Sequence, residues 1–547
     1  MERNMHMKTS IMKQTSLILV LCSLLLTGCK DYLTAPEPAV TQISEFYINS
    51  EAAIQNVTAC YVPLMWEFNK TYYSEWFIGD VVSDDALKGG QSTTDMSDVY
   101  DLENWKTTTN NQLLLDFYQA QYQGVARCNL ALKYISEMET DDDLTPSLKN
   151  RLLGEAYFLR AYYYFRLLRV FGGVPLTTEV LDEASKWEMP RATIAEVFKQ
   201  IESDLKQANS KLWLRSKYAV ADLGRATKGA AQAMLLKVNL YKASPYWCEK
   251  ISGDAVTFAK AAKAWGDSIV ASGEYSLNAS HADNFLLANE NSVESVFEIQ
   301  YAKVPWGDYG DNTGGNGFTA GTFTPILTRS RSSLIGGGWG FNHPTQNLYN
   351  EFEEGDARRE VAIFIPDDAK MENPVEETYL GSKMLNNKYA MYDKYPNCTW
   401  PLHATRGPIN NKQIRYADVL LMRAEAALIA EDDASAEADL NTVRARAGLG
   451  SFGSYKFSVN GTEITSPTLK QAIRHERRME LAMEGHRWFD LVRWGDTKAH
   501  MDAYAATETA EAKSHMATFV AGKHELFPIP ATERELNPAL TQNEGYN

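Results

Sequence analysis

The chain has 547 residues, 44% of them hydrophobic and 23% charged, with 54 basic against 70 acidic side chains and a formal net charge of −16. That length exceeds one ordinary domain. The acidic balance argues against nucleic acid as a partner, since nucleic acid rewards clustered Lys and Arg, and it suits neutral ligands better than polyanions.

Lys8 and Lys13 precede a nearly unbroken apolar run from Leu17 to Leu26, too short to cross a bilayer as a stable helix. The run ends in Leu26-Thr27-Gly28-Cys29. A basic start, an apolar stretch and small residues before a cut read as a secretory signal. The cysteine after the cut resembles the lipobox of bacterial lipoproteins, which implies cleavage after Gly28 and lipidation of Cys29. An ordinary signal that happens to contain a cysteine is the alternative. Each buried CH₂ contributes about 0.8 kcal/mol and one acyl chain anchors only marginally, so a stable anchor implies more than one chain. No later segment is apolar for long enough to span a membrane. Cys60, Cys128, Cys248 and Cys398 are widely spaced without a C-x-x-C pair, which is neither a disulfide-dense scaffold nor a zinc site. They read as small buried hydrophobes, with one or two disulfides left open.

In chain order, residues 30–45, with Pro36 and Pro38, read as an extended tether, and Glu51 to Phe68 as a first helix. Helical periodicity recurs over Phe117–Ile135, Leu152–Phe171 (stopped by Gly172-Gly173 and Pro175), Thr193–Ala208, Ala226–Ala243 and Ala255–Ala271. Thr193 with Glu196 three residues on is a capping-box pattern. Val293 to Tyr301 is strand-like. Residues 306–340, with ten glycines, and residues 364–411, rich in Pro and Tyr, read as loops. Loops on a rigid scaffold are where binding residues usually sit. Tyr416–Ala430 and Ala434–Ala447 form a last helical pair, and paired helices with Ala at close contacts resemble degenerate tetratricopeptide-like hairpins.

His475 to Gly495 is dense in alternating charge and apolar bulk. The spacings Arg477–Glu480, Glu480–Glu484, Glu484–Arg487 and Arg487–Asp490 predict a ladder along helical turns, with Leu481, Trp488, Leu491 and Trp494 buried nearby. Signs that alternate at pairing distance favour a structural network over an acid/base site, which needs a perturbed, unpaired group.

This stretch resembles the C-terminal signature of the SusD/RagB family of outer-membrane lipoproteins. Two more blocks carry the resemblance: Arg415 to Ala426 followed by Leu440 to Gly448, and Gly154 to Ala161 running through Phe171 to Leu176. With the lipobox and the final Phe527-Pro528-Ile529-Pro530, they stand in family order over essentially the whole mature chain. The resemblance implies a mainly α fold, an α-α superhelix of four tetratricopeptide-like units carrying an irregular ligand-facing part. It implies a lipid-anchored position on the outer membrane, facing the cell surface. It also implies a TonB-dependent SusC-like transporter as partner, and capture of oligosaccharide, or in some members peptide, without chemistry. The corresponding division is a signal over 1–28, a lipidated tether over 29–45, an N-terminal helical region over 46–275 and a C-terminal region over 276–547 with a loop-rich insertion at 301–411.

A sugar ring has apolar C–H faces and a hydroxyl rim, so flat aromatics beside polar side chains are the candidates. On irregular segments these are Trp306 and Tyr309 with Asp308 and Asn312; Tyr100 and Trp105; Trp76 near Asp80, Asp84 and Asp85; and Trp400 with His403 and Arg406. Trp339 reads as scaffold, and Trp265, Trp488 and Trp494 as core. No cofactor is implied, although Asp308, Asp311 and Asn312, or Asp80 and Asp84, could hold a calcium ion without matching an EF-hand loop. A secreted glycosidase is the enzyme alternative. It needs two carboxylates across a cleft, for which Asp84-Asp85 and Asp367-Asp368 are chance-level pairs. A protein-binding scaffold is the other rival.

Overall fold

Local chemistry sets the helix borders. α1 (Ser50–Tyr61) starts under the Asn49 side chain, which accepts from Ala52 N–H, and passes into a 3₁₀ turn, Val62–Met65. Pro63 has no N–H to continue an α-helix, so the expected helix to Phe68 stops early. α2 is Ser97–Glu103, α3 Gln112–Glu137 and α4 Pro146–Phe171, the last with Thr145 as N-cap and Pro146 in the first turn. α5 (Ile194–Lys211) carries the expected capping box: Glu196 N–H donates to the Thr193 hydroxyl, and Thr193 N–H donates to the Glu196 carboxylate. α6 (Lys228–Ala243) and α7 (Ala255–Ser272) are capped by Thr227 and Asp254. α8 (Thr324–Thr328) is short, α9 (Tyr416–Ile429) and α10 (Asp433–Arg446) form the later pair, and α11 (Leu469–Leu481), α12 (Arg487–Trp494), α13 (Thr497–Thr507) and α14 (Ala510–His515) follow.

A computed structural model describes residues 47, 49–65, 77–181, 187–302, 321–331, 337–365, 382–389 and 407–546. Within the unit Asn49–Asn547, each long helix packs on its successor: α3 on α4, α4 on α5, α5 on α6, α6 on α7, α7 on α9 and α9 on α10. This is a tetratricopeptide-like helical fold. Phe117, Leu159, Leu167, Met234 and Leu235 are among the side chains withdrawn from water in its core. α3 and α4 approach closely at Gly124, where a Cβ would come within 2.3 Å of the Tyr163 ring. The other unit, Met1–Ile48, lies almost wholly outside the described residues, and with it the expected signal, Cys29 and the tether.

Strands are few and paired in twos, all antiparallel: β1 (Ala86–Gly89) with β3 (Phe341–Pro344), β2 (Ser295–Ile299) with β6 (Asn411–Arg415), β4 (Ile363–Phe364) with β5 (Leu385–Asn386), and β7 (Phe457–Val459) with β8 (Thr462–Ile464). The segments expected to be only loops therefore contain α8, β5 and the edges of β4 and β6. α8 is fully buried, so tertiary burial orders a Gly-rich stretch that periodicity alone leaves open. Cys60 and Cys128 are buried free thiols and Cys248 is a half-buried one; Cys398 lies outside the described residues. Trp488 and Trp494 are core as expected, but Trp265 is only half-buried on α7.

The charged ladder is the main correction. The helix breaks after Leu481 and resumes at Arg487, so the predicted neighbours do not share one helical face. Their charges pair across the molecule instead. Glu480 receives Arg358 (3.2 Å), Arg415 (2.8 Å) and Arg446 (2.5 Å), and Glu484 receives Arg415 (2.7 Å) and Lys388 (2.6 Å). Arg477 bridges Asp418 and Asp490, Arg493 bridges Asp490 and Glu425, and Arg478 and Arg487 both hold Asp84. Of the close pairs, Asp490–Arg493 is local, three residues apart. The structural reading of the stretch holds, and its partners are long-range.

Candidate functional site

The irregular elements form a continuous layer on the helical scaffold. β2 and β6 run antiparallel with Ile299 opposite Asn411, so the segment leaving β2 and the segment entering β6 lie at the same end of the ladder. Asn410 ties these ends together. Its Oδ1 accepts from Tyr301 N–H (2.8 Å), and its Nδ2 donates to Glu298 (3.1 Å) and Gln300 (3.0 Å). Thr322 and Gly407 exchange two backbone hydrogen bonds of 2.8 Å. The described residues that flank 303–320 therefore lie beside those that follow 390–406. The calls on Trp306, Asp308, Tyr309, Asp311 and Asn312, on Trp400, His403 and Arg406, and on Trp76 fall on residues outside those described.

From Thr322 the layer continues through α8 to β3. Trp339 N–H donates to the Ile326 carbonyl, and the Trp339 ring stacks on Phe323 with centroids 6.2 Å apart and planes at 24°. Trp339, read from sequence as scaffold, is half-buried in this layer. β3 pairs with β1, and the two backbones meet so closely that a Cβ on Gly89 (φ +72°) would lie 2.2 Å from the Gly340 oxygen. The buried Lys88 ammonium fixes the following turn by donating to the carbonyls of Gly89 (2.8 Å), Ser92 (3.0 Å) and Asp95 (2.8 Å); burial pulls its pKa down to about 8.

That turn leads into α2 and the one candidate pair the structure describes. The Tyr100 phenol accepts from Lys106 Nζ (3.3 Å) and lies 2.9 Å from His515 Nδ1 on α14. The Lys106 ammonium also sits 5.3 Å from the Tyr100 ring centroid, covering one face. Trp105 has φ +53°, a left-handed conformation that bulky residues rarely adopt and that costs of order 1–3 kcal/mol. It is 7% exposed, packs edge-on to Phe519 at 5.3 Å, and its Nε1 has no hydrogen-bond partner. Tyr100 is the more open of the two rings.

The acids near the layer are already engaged. Asp84 binds Arg487 (2.7 Å), Arg478 (3.0 Å) and His500 (2.6 Å), and Asp85 binds Arg478 (2.8 Å). The pair Asp84-Asp85 thus joins the ionic interior and does not face a cleft; Asp367-Asp368 lies outside the described residues. Asp80 accepts from Gly485 N–H (2.8 Å), so Asp80 and Asp84 do not form the calcium site considered from sequence. Among the described residues no group of three His, Cys, Asp or Glu side chains could hold a metal. Beneath the layer, a cavity near Tyr389, Gln413 and His486 has about 20 Å³, room for one water and not for a sugar.

Comparisons with known proteins fit this architecture. The family described as "SusD family" matches residues 385–546, and one described as "Starch-binding associating with outer membrane" matches residues 31–240. A SusD-like protein of Bacteroides ovatus is 25% identical over 495 residues, covering 88% of this chain and 83% of its own. Two solved structures superpose with a TM-score of 0.72. One is surface glycan-binding protein A of Bacteroides uniformis, 26% identical over 90% of this chain and 99% of that one; the other is a laminarin-binding SusD-like protein, 27% identical over 91% and 100%.

The chain belongs to the SusD/RagB family. The three sequence blocks that suggested it now have physical roles in this SusD/RagB chain. Arg160 in the first block binds Asp204 bidentately and so fastens α4 to α5. Arg415 and Asp418 in the second, and Arg477 to Arg493 in the third, are the ionic interior.

Proposed function

We propose that this SusD/RagB protein is a non-catalytic, lipid-anchored surface receptor that captures oligosaccharide and delivers it to a TonB-dependent SusC-like transporter. The reading is carried by likeness along nearly the whole chain, at 26–27% identity, to a surface glycan-binding protein and a laminarin-binding protein. It is supported by the layer that brings the flanks of two aromatic-bearing segments beside each other. Tyr100, Trp306, Tyr309 and Trp400 are the proposed stacking residues, with Asp308, Asn312, His403 and Arg406 reaching hydroxyls and Trp76 a further candidate; Trp105, buried against Phe519, is withdrawn from this role. A flat ring gives contact area at low entropic cost, and each polar neighbour fixes orientation. Cys29 is the proposed lipidation site.

Calorimetry of residues 30–547 against neutral glycans, laminarin oligosaccharides and peptides tests this. Heat with an oligosaccharide and no new reducing ends supports capture. Heat with peptides alone assigns a RagB-like peptide receptor, and released reducing ends overturn the non-catalytic reading. Trp306→Ala is expected to weaken glycan binding by about 1–3 kcal/mol, as for truncating a central aromatic contact, with the melting temperature nearly unchanged. A large fall in melting temperature would place Trp306 in the core. Cys29→Ala should release the protein from the envelope fraction.

A further inference from the structure

A cavity of about 210 Å³ lies between the β7–β8 hairpin, α11, α12 and α13. It shares no lining residue with the β2–β6 ladder, the Thr322–Gly407 bridge or α2. A dry cavity of about 150 Å³ already admits benzene, so the space suits one substituted six-membered ring.

Its lining is mixed. Phe457, Val459, Ile464 and Leu491 are apolar, and Glu351, Arg474 and His500 are polar. Glu351 is 3% exposed; its Oε2 meets Arg478 Nη1 at 2.7 Å, while its Oε1 has no hydrogen-bond partner. Arg474 lies over the Trp494 ring at 4.5 Å and gives one N–H to the exposed Asp496 (3.0 Å), leaving further donors. His500 Nε2 lies 2.6 Å from Asp84 Oδ2 and 2.9 Å from Arg487 Nη2.

The charges limit the ligand class. Arg478 and Arg487 are neutralised by Asp84, Asp85 and Glu351, and Arg474 pairs with Asp496, so every guanidinium of the lining already has a carboxylate partner. A neutral ring with a C–H face and hydroxyl acceptors disturbs none of these pairs.

We propose that this cavity is a second carbohydrate site that takes one neutral pyranose unit, its C–H face on the apolar part of the lining and its hydroxyls on Arg474. The proposal rests on the reading above only for its ligand class. The Glu351, Arg474 and His500 side chains come from three separate helices, so no sequence motif announces it.

Saturation-transfer NMR on the full-length protein tests the site, with glucose, galactose, mannose and xylose as separate probes and glucuronate and glucosamine as charged controls. Transfer to at least one neutral sugar is expected, with none to the charged pair. Val459→Trp fills the cavity from the hairpin and should abolish the signal. Arg474→Leu keeps the cover over Trp494, removes the donors, and should weaken binding about tenfold, the worth of a charged hydrogen bond. Arg474→Leu also decides the matter should Val459→Trp fail to fold. No transfer to any of the four sugars, or transfer that survives both substitutions in folded protein, overturns the proposal. Calorimetry of the same two variants with laminarihexaose separates the sites. Oligosaccharide binding that persists in them belongs to the loop-bearing layer, and variant-sensitive transfer in a protein that binds no oligosaccharide would sink the layer's role alone.

Discussion

Between α3, α4 and α6 the interior is Phe117, Leu159, Leu167, Met234 and Leu235, whereas around α11 and α12 it is Arg358, Arg415, Arg477, Arg493, Glu480 and Glu484, all equally withdrawn from water. The apolar region gains from burial without regard to direction, so any good volume match holds it together. The ionic region is directional. Each buried charge is tolerable only while its partners stand at hydrogen-bond distance, because desolvation otherwise exceeds the attraction. The first interior stacks helices that follow one another in the chain. The second joins segments hundreds of residues apart, such as Asp84 to Arg487 and Glu294 to Arg415. It thereby sets where β2, β6 and the loops they carry must sit.

The largest expected effect breaks the ionic side. Arg415→Ala removes the guanidinium that joins Glu294, Glu480 and Glu484 and should cost about 3–5 kcal/mol, read from urea unfolding. A loss below about 1 kcal/mol, the range of surface pairs, would mean water reaches the cluster. On the apolar side, Leu159→Ala at a fully buried position should cost about 2–5 kcal/mol. The two should differ in kind: Leu159→Met should recover most of its loss, whereas Arg415→Lys should recover little because a compact ammonium cannot reproduce the planar fork that meets three carboxylates.

Acid sharpens the contrast further. Burial acts to raise the Glu484 carboxyl, but the Arg415 and Lys388 charges overcome it and hold it at about 2; Asp490 is likewise held at about 2 by Arg477 and Arg493. The unfolded chain protonates these groups first, so their contribution is complete above about 4.5 and is lost as pH falls toward 2. Burial keeps His486 neutral down to about 3, so it too destabilises the fold as pH falls from 6.5. Glu103 and Glu290, raised by burial to about 7, oppose this between about 7 and 4.5, since the folded state then binds the extra proton. Melting temperatures should change little from pH 7 to about 4.5 and drop steeply below. A flat profile down to pH 3 would deny the network its role. The smallest effect concerns a single helix end: Thr193→Ala removes the α5 capping box and should cost about 1 kcal/mol, detectable as a shifted urea midpoint with unchanged slope.

Much of the scaffold is legible from residues alone, because it depends on neighbours in sequence. The 3.6-residue periodicity from Phe117 to Ala271 locates α3 to α7, and Thr193 with Glu196 marks a helix start that the structure reproduces. The same logic misplaces the ladder of His475 to Gly495. Three- and four-residue spacing is meaningful only while a helix continues, and this one ends at Leu481. Of the candidate site, composition picks out Tyr100 and Trp105 as aromatics before a helix, but not that Lys106 covers one face of Tyr100 or that Trp105 packs on Phe519.

The sequence by itself determined the helical class, the placing of its longer helices and the family, since each rests on short-range pattern or on blocks in fixed order. Only the tertiary structure decided which carboxylate each arginine meets, which flanking segments stand side by side, and which aromatic rings are covered. Those depend on directional contacts between residues far apart in the chain, and no local pattern encodes a direction in space.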